Sequence, residues 1–124
     1  MESKTYLKNL RVSPKKLRFF LPAIKKMNPS MVLDYLYYSP NKTAKILYKA
    51  IKSAITNAKN TLKADGDLLE WKLLTIEQGQ ILKRFKPGGR GTAKPIKKRF
   101  SHIKIILKAK EQPIVESSKV KSKK

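Results

Sequence analysis

With 124 residues, 30 Lys and Arg against eight Asp and Glu, and a formal net charge of +22, the chain is sized for one domain and repels itself unless a polyanion neutralises it. It has no cysteine, which excludes a disulfide scaffold and a cysteine-ligated metal site. No apolar run reads as a secretory signal or a membrane span, so the chain reads as soluble and cytoplasmic, with nucleic acid the first candidate partner and an acidic membrane surface the second.

Residues 5–12, TYLKNLRV, make a short strand candidate. Three helix starts then share one local chemistry: SP at 13–14, NP at 28–29 and SP at 39–40. Ser or Asn accepts a hydrogen bond from a free backbone N–H, and Pro at the first helical position has no N–H to leave unsatisfied. The first predicted helix buries Leu17, Phe20, Leu21 and Ile24, with a kink or an early end at Pro22. The second is short, with Val32, Leu33 and Leu36 inward and Tyr35, Tyr37 and Tyr38 around its end. The third keeps a 3.6-residue period through Ala44, Leu47, Tyr48, Ile51, Ala54, Ile55, Ala58 and Leu62. Lys42, Lys45, Lys49, Lys52, Lys59 and Lys63 cover its remaining surface, and Gly66 in KADGD offers the positive φ that closes it.

The period then changes to two. LLEWKLLTIEQ alternates Leu69, Trp71, Leu73 and Thr75 against Glu70, Lys72 and Leu74. SHIKIILKAK alternates Ile103, Ile105 and Leu107 against Lys104, Ile106 and Lys108. The expected fold is α+β, a three-stranded antiparallel sheet packed on three helices. Residues 1–110 form the single domain, and 111–124 read as a disordered basic tail.

Between the last two strands lies KRFKPGGRGTAKPIKKRFSHI, residues 83–103, with eight Lys or Arg, three glycines and no acid. It is far too long for a hairpin turn. One reading is a disordered basic loop. The other continues both strands as a β-hairpin arm, about residues 79–101, with Ile81, Phe85, Ile96 and Phe100 in cross-strand apolar pairs and PGGRG at the tip. Eight residues a side would reach about 25 Å. Such an arm has no core, so something outside the protein must hold it, and its charge says that this is phosphate-rich. GGRG matches neither phosphate-loop pattern, GxxxxGK[ST] or GxGxxG, and nucleotide binding is rejected.

His102, the one histidine, has no cysteine or acid pair to work with, which makes hydrogen bonding to RNA or backbone its better role. No carboxylate pair reads as general acid and base, so the chain is not an enzyme, and no cofactor or metal is implied. Trp71 alternates with inward residues and reads as core. The three tyrosines read as cover for a core edge or as stacking partners for bases.

RVSPKK at 11–16, KAIKSAITNAKN at 49–60 and LKRFKPGGRGTAKPIKKRFSHI at 82–103 resemble, in order and spacing, the L-twenty-two family of large-subunit ribosomal proteins, bacterial type. The resemblance spans about residues 5–109. It implies three helices on a small sheet, a long β-hairpin, and binding to large-subunit ribosomal RNA during early assembly. It implies a hairpin tip that lines the peptide exit tunnel near the macrolide site. Carried onto this sequence, the RNA-binding residues are Arg11, Ser13, Lys15, Lys16, Arg18, Lys83, Arg84, Lys86, Arg90, Lys94, Lys97, Lys98, Arg99 and His102. Gly88, Gly89, Arg90, Gly91 and Thr92 form the tunnel-facing tip. The implied partners are ribosomal RNA, neighbouring large-subunit ribosomal proteins and the nascent peptide, with no membrane and no homo-oligomer. The location is the cytoplasmic large subunit, a plastid-encoded member staying open. The sequence departs from the family pattern at the tip, which is usually richer in Arg, and at Pro22, Pro95 and Phe100. A histone-like nucleic-acid binder ranks second as a function, an enzyme third and a membrane-active cation last.

Overall fold

The structure, a computed structural model that describes residues 1–110, is organised around one long helix and the strand behind it. In chain order come β1 (Glu2–Leu10), α1 (Pro14–Arg18), α2 (Leu21–Lys25), α3 (Pro29–Tyr38), α4 (Lys42–Leu62), β2 (Leu69–Pro87) and β3 (Ala93–Ala109). Single 3₁₀ turns stand at Gly66–Leu68 and Gly89–Gly91. The sheet is antiparallel in the order β1-β3-β2, with the helices on one face. This bears out the α+β expectation and the long hairpin. The predicted tail, 111–124, lies outside the described residues.

α4 buries Ala44, Leu47, Ala50, Ile51, Ala54, Ile55 and Ala58. Alternating small and branched residues let the helix lie close on Ile103, Ile105 and Leu107 of β3, all fully buried. Leu17, Ile24, Val32 and Leu36 close the core from the shorter helices. Truncating a member such as Leu47 to Ala costs about 2–5 kcal/mol. Trp71 joins this packing, and its indole N–H donates to the Met27 carbonyl at 2.8 Å.

Several local expectations are corrected. The first predicted helix is two short helices, broken at Phe19–Phe20 ahead of Pro22. Ser13 and Asn28 take the extended cap conformation before their prolines, yet neither side chain caps its helix. Pro40 does not open α4; Ser39 ends α3 with its hydroxyl on the Tyr35 carbonyl, and Asn41 precedes the first turn of α4. The left-handed residue closing α4 is Lys63, at φ 51°, because the helical bonding stops three residues before Gly66.

The strands carry three one-residue bulges, and none of the extra residues is in β3. The first, at Lys72, reverses the alternation after Trp71. Leu74 and Ile76 are therefore buried where Leu73 and Thr75 were expected. The second places Gly79 and Gln80 opposite Phe100, and the third falls at Lys8–Asn9 of β1, where Asn9 sits at φ 59°.

Candidate nucleic-acid interface

The acids of the sheet are gathered toward one end, while lysines and arginines run its whole length. Glu2 and Glu70 lie at the end remote from the arm, where Lys72 binds Glu2 and Lys108 stands 3.4 Å from Glu70. The hydrogen bond from Lys72 holds the Glu2 carboxyl below the usual carboxylate range. Asp65 precedes the 3₁₀ turn at that same end and Asp67 lies within it. Among the described residues the one acid near the arm is Glu77, which accepts the Tyr6 hydroxyl at 2.9 Å. That bond raises the Tyr6 phenol above its ordinary value, with partial desolvation and the Glu77 charge acting the same way. Among the described residues no three His, Asp or Glu side chains gather to hold a metal.

At the arm end three distant segments meet. Arg11 and Ser13 from the β1–α1 turn, Lys16 from α1, Lys42, Thr43 and Ile46 from the start of α4, and Lys98 and Arg99 from β3 line a cleft of about 340 Å³. A wider depression beside it shares Lys16, Lys42 and Thr43 and adds Lys15, Phe19 and Asn41. The first turn of α4 carries no acid, and Asn41 does not cap it with its side chain. Its free N–H groups and the positive end of the helix dipole thus add to five surrounding cations. From there Lys42, Lys45, Lys49, Lys52 and Lys59 run down α4, all exposed, at spacings that keep them on one side opposite the core.

The arm is ordered β-ladder, not loop, with pairing unbroken from Ile81–Arg99 to Pro87–Ala93. Its residues are nearly all exposed. The expected apolar pairs do not form: Ile81 faces Arg99, Ile96 faces Arg84, Phe85 faces Pro95, and Phe100 falls at the Gly79 bulge. The five-residue tip and that bulge fix a register in which Ile81, Leu82 and Ile96 meet basic residues instead, while Phe85 keeps an apolar partner, Pro95. Lys83 lies directly opposite Lys97, and Lys86 opposite Lys94. Like charges in directly opposed positions destabilise a ladder in the absence of a counter-charge.

At the tip the Gly88 N–H donates to the Thr92 carbonyl at 2.6 Å, and Thr92 returns N–H and hydroxyl bonds to the Gly89 carbonyl. A side chain at 88 would put its Cβ 2.9 Å from the Thr92 carbonyl oxygen, so glycine is required by close approach. Gly91 takes a positive φ of 72°, and so does Arg90, at 56°, where a side chain is strained.

His102 and Arg18 have internal partners. Nδ1 of His102 accepts the Asn9 N–H at 3.1 Å, which leaves Nε2 as the ring's remaining donor. Arg18 donates through Nη2 at 2.9 Å and Nε at 3.3 Å to the Ile76 carbonyl, while its side chain stays exposed. Of the residues singled out in the sequence, the structure brings Arg11, Ser13, Lys16, Lys98 and Arg99 together in the cleft. Lys15 lines the depression alongside. Lys83, Arg84, Lys86, Arg90 and Lys94 are distributed along the arm, apart from it. Sequence reasoning missed Thr43 and the meeting of Lys42 with Arg11 and Arg99; the acid-free first turn of α4 was the available signal.

Comparison with known proteins fits this geometry. The family model described as ribosomal protein L22p/L17e matches residues 5–108. The chain is 41% identical over 107 residues to large ribosomal subunit protein uL22 of Opitutus terrae, covering 86% of this chain and 95% of that one. It is 39% identical over 111 residues to the protein of the same name from Clostridium acetobutylicum, covering 90% and 100%. Akkermansia muciniphila uL22 is likewise 39% identical over 111 residues, covering 90% and 99%. The chain therefore belongs to the ribosomal protein L22p/L17e family, whose role in the large subunit is structural and not enzymatic.

Proposed function

We propose that this protein is held in the large subunit of cytoplasmic ribosomes by ribosomal RNA, with neighbouring ribosomal proteins as further partners. The cleft, the α4 lysines and the arm stem take phosphates, and the tip faces the peptide exit tunnel and the nascent chain. The observation that carries the RNA reading is the arm's register, with Lys83 against Lys97 and Lys86 against Lys94. A two-stranded ribbon without a core, carrying paired lysines, gains its stability when a polyanion lies along it. Separation of the acids toward the other end of the sheet supports the same direction of approach. Phosphate contacts fix position, and the fold of the RNA does the selecting. The tip assignment rests on the order basic, Gly-rich, basic along the arm and on the family resemblance.

The test is the salt dependence of binding to large-subunit RNA. Each neutralised phosphate contributes roughly −0.7 to −0.9 to the slope of log affinity against log salt. Cleft and stem together are expected to give a slope of about −4 or steeper. A slope worth one or two contacts overturns the reading.

A further inference from the structure

From Met27 to Asn41 the chain runs fifteen residues without a Lys or Arg, the longest such run in a protein with 30 of them. The run includes all of α3, whose outward side is mainly apolar and aromatic, with Asp34 its one charge. Met31, Asp34, Tyr35 and Tyr38 fall in one row at helical spacing, with Met31 62% and Tyr38 81% exposed. Tyr37 extends the row sideways, edge-on to Tyr38 at 5.3 Å between ring centres and tilted against Tyr48 at 5.9 Å. Lys52, 5.8 Å from the Tyr48 ring, marks where the cationic side of α4 begins.

Scattered exposed apolar residues are ordinary, but a contiguous row of them marks an interaction surface. Half or more of a nucleic-acid contact goes to phosphate, and among the described residues α3 itself supplies no cation to receive one, Lys110 reaching only the Asn28 cap at its start, while an Asp34 carboxylate repels it. Two copies of a +22 chain repel one another, which disfavours self-association. Met and Tyr without Lys is the composition of a protein interface core. We infer that the outer face of α3 docks a second, cationic protein of the same particle, whose apolar side chains cover Met31, Tyr35 and Tyr38 and whose Lys or Arg meets Asp34. This rests on the reading that the chain is assembled into the large subunit.

The experiment places a benzophenone-bearing amino acid at position 38 of the full chain, assembles it into large subunits, and irradiates the purified particles. A ribonuclease-resistant adduct is expected, yielding on digestion a peptide from a second ribosomal protein. In the Asp34→Lys background the yield of that adduct is expected to fall several-fold. A ribonuclease-sensitive adduct, or none, overturns the inference, as does an adduct indifferent to Asp34→Lys. The same photoreactive residue at position 97 reports separately on the arm. RNA adducts at 97 without protein adducts at 38 overturn the α3 assignment alone, and the reverse pattern overturns the RNA-held arm alone.

Discussion

The hydroxyl of Tyr6 donates to the carboxylate of Glu77 at 2.9 Å, joining the two outer strands of the sheet over the back of the central one. Because Tyr6 has a folded pKa above its unfolded value of about 10, the bond's stabilisation is fully present below that value and is lost as pH rises through the folded one. The Tyr6→Phe variant is therefore expected to be less stable than the parent at pH 8, with the difference closing above about pH 10. Urea melts of both free proteins at pH 8 and 11 check this. A gap as large at pH 11 as at pH 8 refutes the linkage.

The glycines divide by what surrounds them. A Cβ at Gly79 would lie 3.0 Å from both the carbonyl carbon and oxygen of Phe100, main-chain atoms that cannot swing aside. Gly79→Val is expected to destabilise the free protein by about 1–3 kcal/mol. At Gly89 nothing lies within 4 Å, so Gly89→Ala is expected to leave the urea midpoint unchanged. Equal midpoints for the two variants would remove the bulge from any structural role.

Tip and stem are separable by design. Because Pro87 pairs with Ala93, replacing Gly88–Thr92 by Asn-Gly closes the hairpin with a two-residue turn. That variant is expected to keep the melting temperature of the free body and to enter large subunits normally, while altering macrolide susceptibility or peptide-induced stalling. Changing Lys97, Lys98 and Arg99 together to Ala is expected to do the opposite, lowering incorporation without unfolding the free chain. Sedimentation of the subunits and thermal melts read both variants. Unchanged tunnel behaviour in the first, or full incorporation of the second, counts against the assignment.

What was legible in the sequence follows the range of the interactions concerned. α4 was plain because seven buried positions repeat one period over its whole length. The inward face of β3 was equally plain, because no bulge interrupts it. β2 was misread beyond Trp71, since a single inserted residue at Lys72 reverses its faces and leaves no local mark. Gly79 did leave one, as an isolated glycine in a strand pattern signals a bulge or close approach. The pairing of Lys83 with Lys97 depends on a register set at both ends of the arm. The cleft joins residues 11–16, 42–46 and 98–99, which no local pattern connects.

The bulges and the strand order also decide the mechanics of the molecule. From Ser101 to Lys108, β3 is a beam clamped along both edges, by β1 and by β2. Beyond Ser101 its β1 support ends, and at the same level Gly79 and Gln80 loosen the β2 side. Bending stiffness therefore drops sharply at one place, and a sideways load on the tip turns the arm about Phe100 as about a fulcrum. Tension along the strand is borne differently, in shear by two ladders at once, and reaches Ile103, Ile105 and Leu107 directly. The arm is compliant across its length and stiff along it.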